Sequence, residues 1–226
     1  MHKGDISKVL KIIEKELPKW DSPVVELKGL KFENPFQVLI CALISTRTRD
    51  ETTKRVCKRL LDKIKSPWDV IKMDPKELEQ LIYPSGFYKS KSLFLKDLSG
   101  QLIEQFNGEV PRKLEDLLKL KGVGPKVANL VLSEGFNIDA IAVDTHVHRV
   151  CNRWGLVKTK SPEETERDLK AVLPKRFWRK FNFLLVAFGQ SICKPRSPKC
   201  KLCPVIEFCE NSPQSTNLKV PLPKMS

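Results

Sequence analysis

The chain has 226 residues, 41% of them apolar, and 41 Lys and Arg against 27 Asp and Glu give a formal net charge of +14 at pH 7. That length and apolar content argue against disorder as the default state of the chain and allow one core or two small lobes. The charge excess makes a positive field suited to polyanions, although a lysine-rich solvated surface has the same composition.

The apolar runs Val38–Ile44 and Phe183–Phe188 are too short to span a bilayer. The opening residues lack the apolar stretch of a secretion signal. We therefore expect an intracellular protein, cytoplasmic or on the nucleoid, without membrane contact. Disulfides are rare there, so the seven cysteines need another role.

In chain order, Ile6, Val9, Leu10, Ile13 and Leu17 recur at helical spacing. Asn34-Pro35 reads as a cap with proline at the first helical position, opening an apolar helix that ends near Ser45. Val56, Cys57, Leu60, Leu61 and Ile64 form the next stripe, and Asp74-Pro75 starts another that carries Leu78, Leu81 and Ile82. Leu98, Leu102, Ile103 and Phe106 continue the pattern until Asn107-Gly108 ends it. Ser161-Pro162-Glu163-Glu164 has the form of a capping box. No segment alternates long enough for a strand, and Asn107-Gly108 follows a helix rather than joining two strands. The expected fold class is all-α with short turns. Residues 211–226, polar and proline-containing, are expected to form a loose tail.

Leu114, Leu117, Leu118 and Leu120 end one short helix, and Val127, Leu130 and Val131 lie in the next. Between them stands Lys121-Gly122-Val123-Gly124-Pro125-Lys126. Two glycines permit a tight turn and close approach to a partner. Pro125 suits the first helical position, and the N–H groups there suit a phosphate oxygen. Gly122, Val123 and Gly124 thus read as a helix–hairpin–helix that holds DNA backbone without reading its sequence. Taken alone, Gly-x-Gly between helices is more often a plain turn. Lys126 falls in the first turn, where the positive end of the helix dipole favours the neutral amine that a nucleophile needs. Phosphate binding is the commoner role for a lysine so placed.

Asp144 follows Ile141-Ala142-Val143 and precedes a helical stretch. Taken as an isolated sequence it reads first as an N-cap. It could equally place a carboxylate where positive charge develops on a reacting sugar, and the two roles are compatible. His146 and His148 are separated by one residue and do not face each other on a helix, which argues against a shared metal site. Arg149 and Arg153 support structure or contact phosphate.

Cys193, Cys200, Cys203 and Cys209, separated by six, two and five residues, mark a metal site. Their spacing leaves tetrahedral zinc and an iron–sulfur cluster both open. Lys194, Arg196 and Lys199 lie between the first two ligands and form a natural phosphate contact. Cys41, Cys57 and Cys151 sit in apolar helical contexts and read as core thiols.

Three stretches together resemble the endonuclease III family of helix–hairpin–helix DNA glycosylases. They are Leu120-Lys121-Gly122-Val123-Gly124-Pro125-Lys126-Val127-Ala128-Asn129, Val143-Asp144-Thr145-His146 with Arg149-Val150-Cys151-Asn152-Arg153, and the cysteine spacing. The resemblance runs from about Pro35 to Cys209. It implies a [4Fe–4S] cluster on the four cysteines, Lys126 as catalytic lysine and Asp144 as catalytic aspartate. It implies a helical barrel over 28–138 carrying the hairpin, and a second lobe made of 1–27 and 139–226. Double-stranded DNA would lie across the cleft of a monomer, with the target base flipped out. Ser45–Asp50 matches the family's loop that fills the gap left by the flipped base, with Arg47 where many relatives carry Gln. That exchange bears on which opposite base is tolerated. Gly86-Phe87-Tyr88 matches the wedge loop and makes Phe87 the wedge, where the plain alternative is a packed aromatic. Lys121 and Pro125 depart from the commonest family pattern, away from the implied chemistry.

The implied reaction is removal of oxidised pyrimidines, followed by strand cleavage 3′ to the abasic site by β-elimination. One alternative is a monofunctional mismatch glycosylase, whose members generally lack this lysine and activate water. The other is a non-catalytic DNA-binding or electron-transfer module built on the cluster.

Overall fold

Proline punctuates this fold. In the computed structural model, which describes residues 3–24 and 29–213, four helices begin with a polar cap followed by proline. Asn34 accepts from the Gln37 N–H at 3.0 Å, Asp74 from Lys76 at 2.8 Å and Ser161 from Glu164 at 3.2 Å. Each cap satisfies an N–H orphaned at the helix start, and proline has none there to leave unpaired. The fourth start, Ser66-Pro67, is a capping box in which Asp69 reaches back to Ser66 at 2.8 Å.

The helices are α1 (Ile6–Glu16), α2 (Pro35–Ser45), α3 (Asp50–Lys63), α4 (Pro67–Lys72), α5 (Pro75–Ile82), α6 (Tyr88–Phe106), α7 (Leu114–Leu117), α8 (Pro125–Leu130), α9 (Thr145–Trp154), α10 (Pro162–Val172) and α11 (Trp178–Ser191). A π turn, Val131–Gly135, extends α8. No strand occurs among the described residues, so the fold is all-α. No helix among them is long and apolar enough to cross a membrane.

The chain divides into two compact units, one of Pro23–Ala142 and one of Met1–Ser22 with Val143–Ser226. The boundary expected between residues 27 and 28 lies outside the described residues, as does the expected tail from residue 214 onward.

In the unit Pro23–Ala142, every residue of α2 from Phe36 to Ile44 is buried. A helix apolar on all sides must be surrounded, and α3, α6, α8 and the π turn surround it. Its one buried polar side chain, Gln37, accepts from the Glu33 N–H at 2.8 Å and donates to the Ile64 carbonyl at 3.2 Å, so it carries no unpaired amide. Cys41 and Cys57 are buried here with their thiols hydrogen-bonded, and burial raises the Cys41 thiol well above its usual range.

In the other unit, α11 packs against α1 and α9. Phe188 of α11 lies against Trp154 and Trp20, with ring centroids 5.4 and 5.7 Å apart. Cys151 is fully buried.

Candidate functional site

Gly122 makes the hairpin turn with φ +81°, a left-handed conformation that a side chain resists. The Val123 N–H then donates to the Leu120 carbonyl at 3.1 Å, and the Val123 side chain is buried. Val123 therefore closes the turn from within. Gly124 is extended and caps α8, and its carbonyl accepts from the Ala128 N–H at 3.0 Å. A Cβ added at Gly124 would meet nothing within 4 Å. Neither backbone conformation nor packing within the chain demands glycine there; the missing side chain leaves a flat surface open to an outside partner. Lys126 stands half-buried in the first turn of α8.

Two loops meet near the hairpin in the same unit. Arg47, exposed, and Phe87, 62% exposed, both hold left-handed backbone at φ 50° and 58°. Their exposure rules out the packed-aromatic reading of Phe87. The Arg47 guanidinium lies 5.4 Å from the Phe87 ring centroid. The loops approach so closely that a Cβ at Gly86 would stand 2.1 Å from the Arg47 carbonyl oxygen. The Gly86 N–H donates to Thr48 Oγ1 at 3.0 Å. Lys91 Nζ donates to the Ile44 and Thr46 carbonyls at 2.7 and 2.6 Å and to Thr48 Oγ1 at 2.8 Å. A cavity of about 320 Å³ is lined by Leu43, Arg47, Phe87, Lys91, Phe94 and Gly122, so both loops and the hairpin border one space. The sequence reading missed Lys91, because Lys89-Ser90-Lys91 looks like a solvated helix face.

Asp144 belongs to the other unit. It caps α9, accepting through Oδ1 from the His146 and Val147 N–H groups, both at 2.9 Å. Arg149 donates to the Cys193 carbonyl at 3.0 Å and to the Gly189 carbonyl at 3.1 Å. Arg153 donates to the carbonyls of Lys194 and Pro195 at 2.7 and 2.8 Å. Both arginines thus take the structural role of the two open to them, clamping the start of the cysteine loop. His148 accepts a similar role, its Nδ1 lying 2.7 Å from Thr165 Oγ1.

Cys193, Cys200, Cys203 and Cys209 are half-buried free thiols within electrostatic reach of one another. Burial pushes Cys203 up to about 11, and the other three thiols add to the rise. Arg153 Nη1 donates to Cys193 Sγ at 3.4 Å. Among the described residues, no three His, Cys, Asp or Glu side chains converge on a single ion. Arg196 and Lys199 are exposed and Lys194 is half-buried on the loop that Arg153 holds.

Residues 40–175 match the model of the HhH-GPD superfamily of base excision DNA repair proteins. The chain is 47% identical over 180 residues to endonuclease III of Thermotoga maritima, spanning 80% of this chain and 84% of that protein. It is 40% identical over 225 residues to the chloroplastic endonuclease III homolog 2 of Arabidopsis thaliana, spanning 92% of this chain but 58% of that longer protein. Among solved structures, it is similar to a trapped endonuclease III–DNA covalent intermediate with a TM-score of 0.82 and 37% identity, covering 93% of this chain and 97% of that one.

Proposed function

The chain belongs to the HhH-GPD superfamily of base excision DNA repair proteins, among the endonucleases III, and from that premise we propose that it is a bifunctional DNA glycosylase and abasic-site lyase. The observation that carries the reading is Lys126, an amine in the first turn of α8 behind Gly124, in a chain similar to an endonuclease III trapped covalently on DNA.

The substrate is an oxidised pyrimidine such as thymine glycol in duplex DNA. Flipping it out costs a few kcal/mol, less for a damaged base. The Lys126 Nζ attacks C1′, the C1′–N bond breaks, and the base leaves with its electron pair and takes up a proton. The attacking amine gives up a proton, the C1′–O4′ bond breaks as O4′ takes up a proton, and the Schiff base so formed acidifies the C2′ proton. Its loss expels the 3′ phosphate and cleaves the strand. Asp144 stabilises the positive charge on the sugar and moves protons, while its Oδ1 keeps the cap. Gly122 and Gly124 lay flat backbone against a phosphate, Arg47 fills the gap left by the base, Phe87 wedges the stack, and Lys194, Arg196 and Lys199 contact phosphates. The protein acts as a monomer inside the cell, where the chromosomal DNA is.

Cys193, Cys200, Cys203 and Cys209 would hold the [4Fe–4S] cluster. Four thiols within electrostatic reach of one another are a fitting donor set, and Arg153 Nη1 donates to Cys193 Sγ. Bound there, the cluster supplies a pin for the basic loop, and the chemistry at C1′ rests on the protein's own side chains. Cys203→Ser is expected to strip iron and visible absorption from the purified protein and to weaken duplex binding about tenfold, the loop having lost its pin. Iron and zinc analysis of both proteins checks this. Zinc in place of iron would refute the cluster.

The two hairpin glycines separate fold from function. Gly122→Ala is expected to lower stability by about 1 kcal/mol, through its left-handed backbone. Gly124→Val is expected to leave thermal unfolding nearly unchanged and to weaken duplex binding about tenfold, because its added methyls block a backbone contact. A Gly124→Val protein that binds normally would remove the hairpin from the interface.

The direct test is thymine glycol duplex with and without borohydride, which reduces a Schiff base to a stable link. A cross-linked band and a 3′ nick are expected. Free base without either would turn the reading towards a monofunctional glycosylase, and no product on any lesion would overturn it.

A further inference from the structure

We infer that Lys91 is a positioning residue whose ammonium ties the end of α2 and the 46–48 loop to α6, and so sets where Arg47 and Phe87 stand. The inference rests on the proposed function only in taking those two side chains to face DNA.

Lys91 lies in the first turn of α6, four residues after Phe87, and is 6% exposed. A buried ammonium is costly unless its donors are used. Lys91 has three, and three acceptors hold them: the Ile44 carbonyl, the Thr46 carbonyl and Thr48 Oγ1. The carbonyls end α2, where the negative end of the helix dipole favours a cation. Burial lowers the Lys91 pKa to about 8, still above neutrality, so the charged form persists with all three bonds.

The bonds fall where the backbone needs restraint. Thr46 and Thr48 flank Arg47, and Thr48 Oγ1 also takes the N–H of Gly86, next to Phe87. Arg47 and Phe87 both hold left-handed backbone, which side-chain-bearing residues keep only where neighbours over-determine it. Lys91 bonds both flanks of the first, and through Thr48 reaches the residue before the second. An apolar side chain in its place would strip the buried Ile44 carbonyl of this donor, leave the Thr46 carbonyl only its Thr48 Oγ1 donor at 3.3 Å, and free both loops to relax.

The test uses the full chain, a duplex carrying a tetrahydrofuran abasic-site analogue, and the same duplex intact. Lys91→Met and Arg47→Ala are each expected to weaken binding to the analogue by about tenfold. Together they should cost close to tenfold rather than about a hundredfold, because Arg47 has already lost its place in the Lys91 variant. Independent, multiplying effects would overturn the inference, since a merely structural lysine gives that result. So would full affinity in Lys91→Met. Should that variant not fold, Thr48→Val, which removes the shared acceptor, takes its place in the same cycle and is expected to be non-additive with Arg47→Ala. Hydrogen exchange tests positioning without DNA: the Gly86 amide is expected to exchange at least about tenfold faster in Lys91→Met, as its acceptor Thr48 is released. Unchanged exchange would overturn the inference whatever the DNA result. Equal binding of analogue and intact duplex by the unsubstituted protein would instead overturn the reading of Arg47 and Phe87, and with it this role.

Discussion

Lys126→Ala is expected to abolish borohydride cross-linking and to slow strand cleavage by at least about a thousandfold, a barrier increase near 4 kcal/mol. Two roles compete for this side chain, and they differ in what saturation does. A lysine that merely neutralises a phosphate contributes to binding, so its loss weakens affinity, flattens the salt dependence, and is recovered once enzyme is in excess. A nucleophile contributes after binding, so its loss persists when every duplex is bound. Single-turnover measurements at rising enzyme concentration therefore decide between them. The alanine variant should hold the abasic-analogue duplex within a few-fold of the unsubstituted protein and still fail to nick. Recovery of nicking at saturation would assign Lys126 to phosphate and leave the nucleophile unnamed. The half-buried setting of Lys126 in the first turn of α8 makes the substitution mild for the fold, so lost activity cannot be put down to lost structure.

Local chemistry explains what was legible in the sequence. Asn34-Pro35, Asp74-Pro75 and Ser161-Pro162 announced helix starts because cap and proline act within three residues of themselves. Ser66-Pro67 works identically, and went unread because its partner is Asp69 rather than the glutamate usual in a capping box. The glycines of the hairpin were legible as a turn, but their division of labour was not. Gly122 is required by φ and Gly124 by nothing inside the chain, and only coordinates separate those cases. Val123 shows the same limit, since whether an N–H faces outward or closes a turn depends on where the Leu120 carbonyl lies. Lys91 was illegible for a stronger reason. Its acceptors Ile44, Thr46 and Thr48 lie more than forty residues earlier in the chain, and no periodicity distinguishes a lysine that folds inward onto carbonyls from one that faces water. Arg149 and Arg153 stood between structure and phosphate until the carbonyls of residues 189 and 193–195 came within reach.

Asp144 poses the remaining choice, and the structure supplies the substitution that resolves it. Its Oδ1 holds two N–H groups of α9 at 2.9 Å, so Asp144→Ala removes a cap and a charge together. That variant is expected to lose about 1 kcal/mol of stability, or about 2–4 °C in the unfolding temperature of a chain this long, along with activity. Asn caps a helix about as well as Asp. Asp144→Asn therefore keeps the cap and removes only the negative charge. With the cap intact, its unfolding temperature should match that of the unsubstituted protein. Base excision in single turnover should nonetheless fall about a hundredfold or more, the range expected for losing a charge or a proton relay at a reacting centre. The comparison has a clear negative. If Asp144→Asn excises bases at the unsubstituted rate while Asp144→Ala does not, the aspartate is a cap whose loss disturbs α9, and the proton relay lies on another residue. If both variants are slow and only the alanine is unstable, one carboxylate serves the helix through Oδ1 and the sugar through its charge.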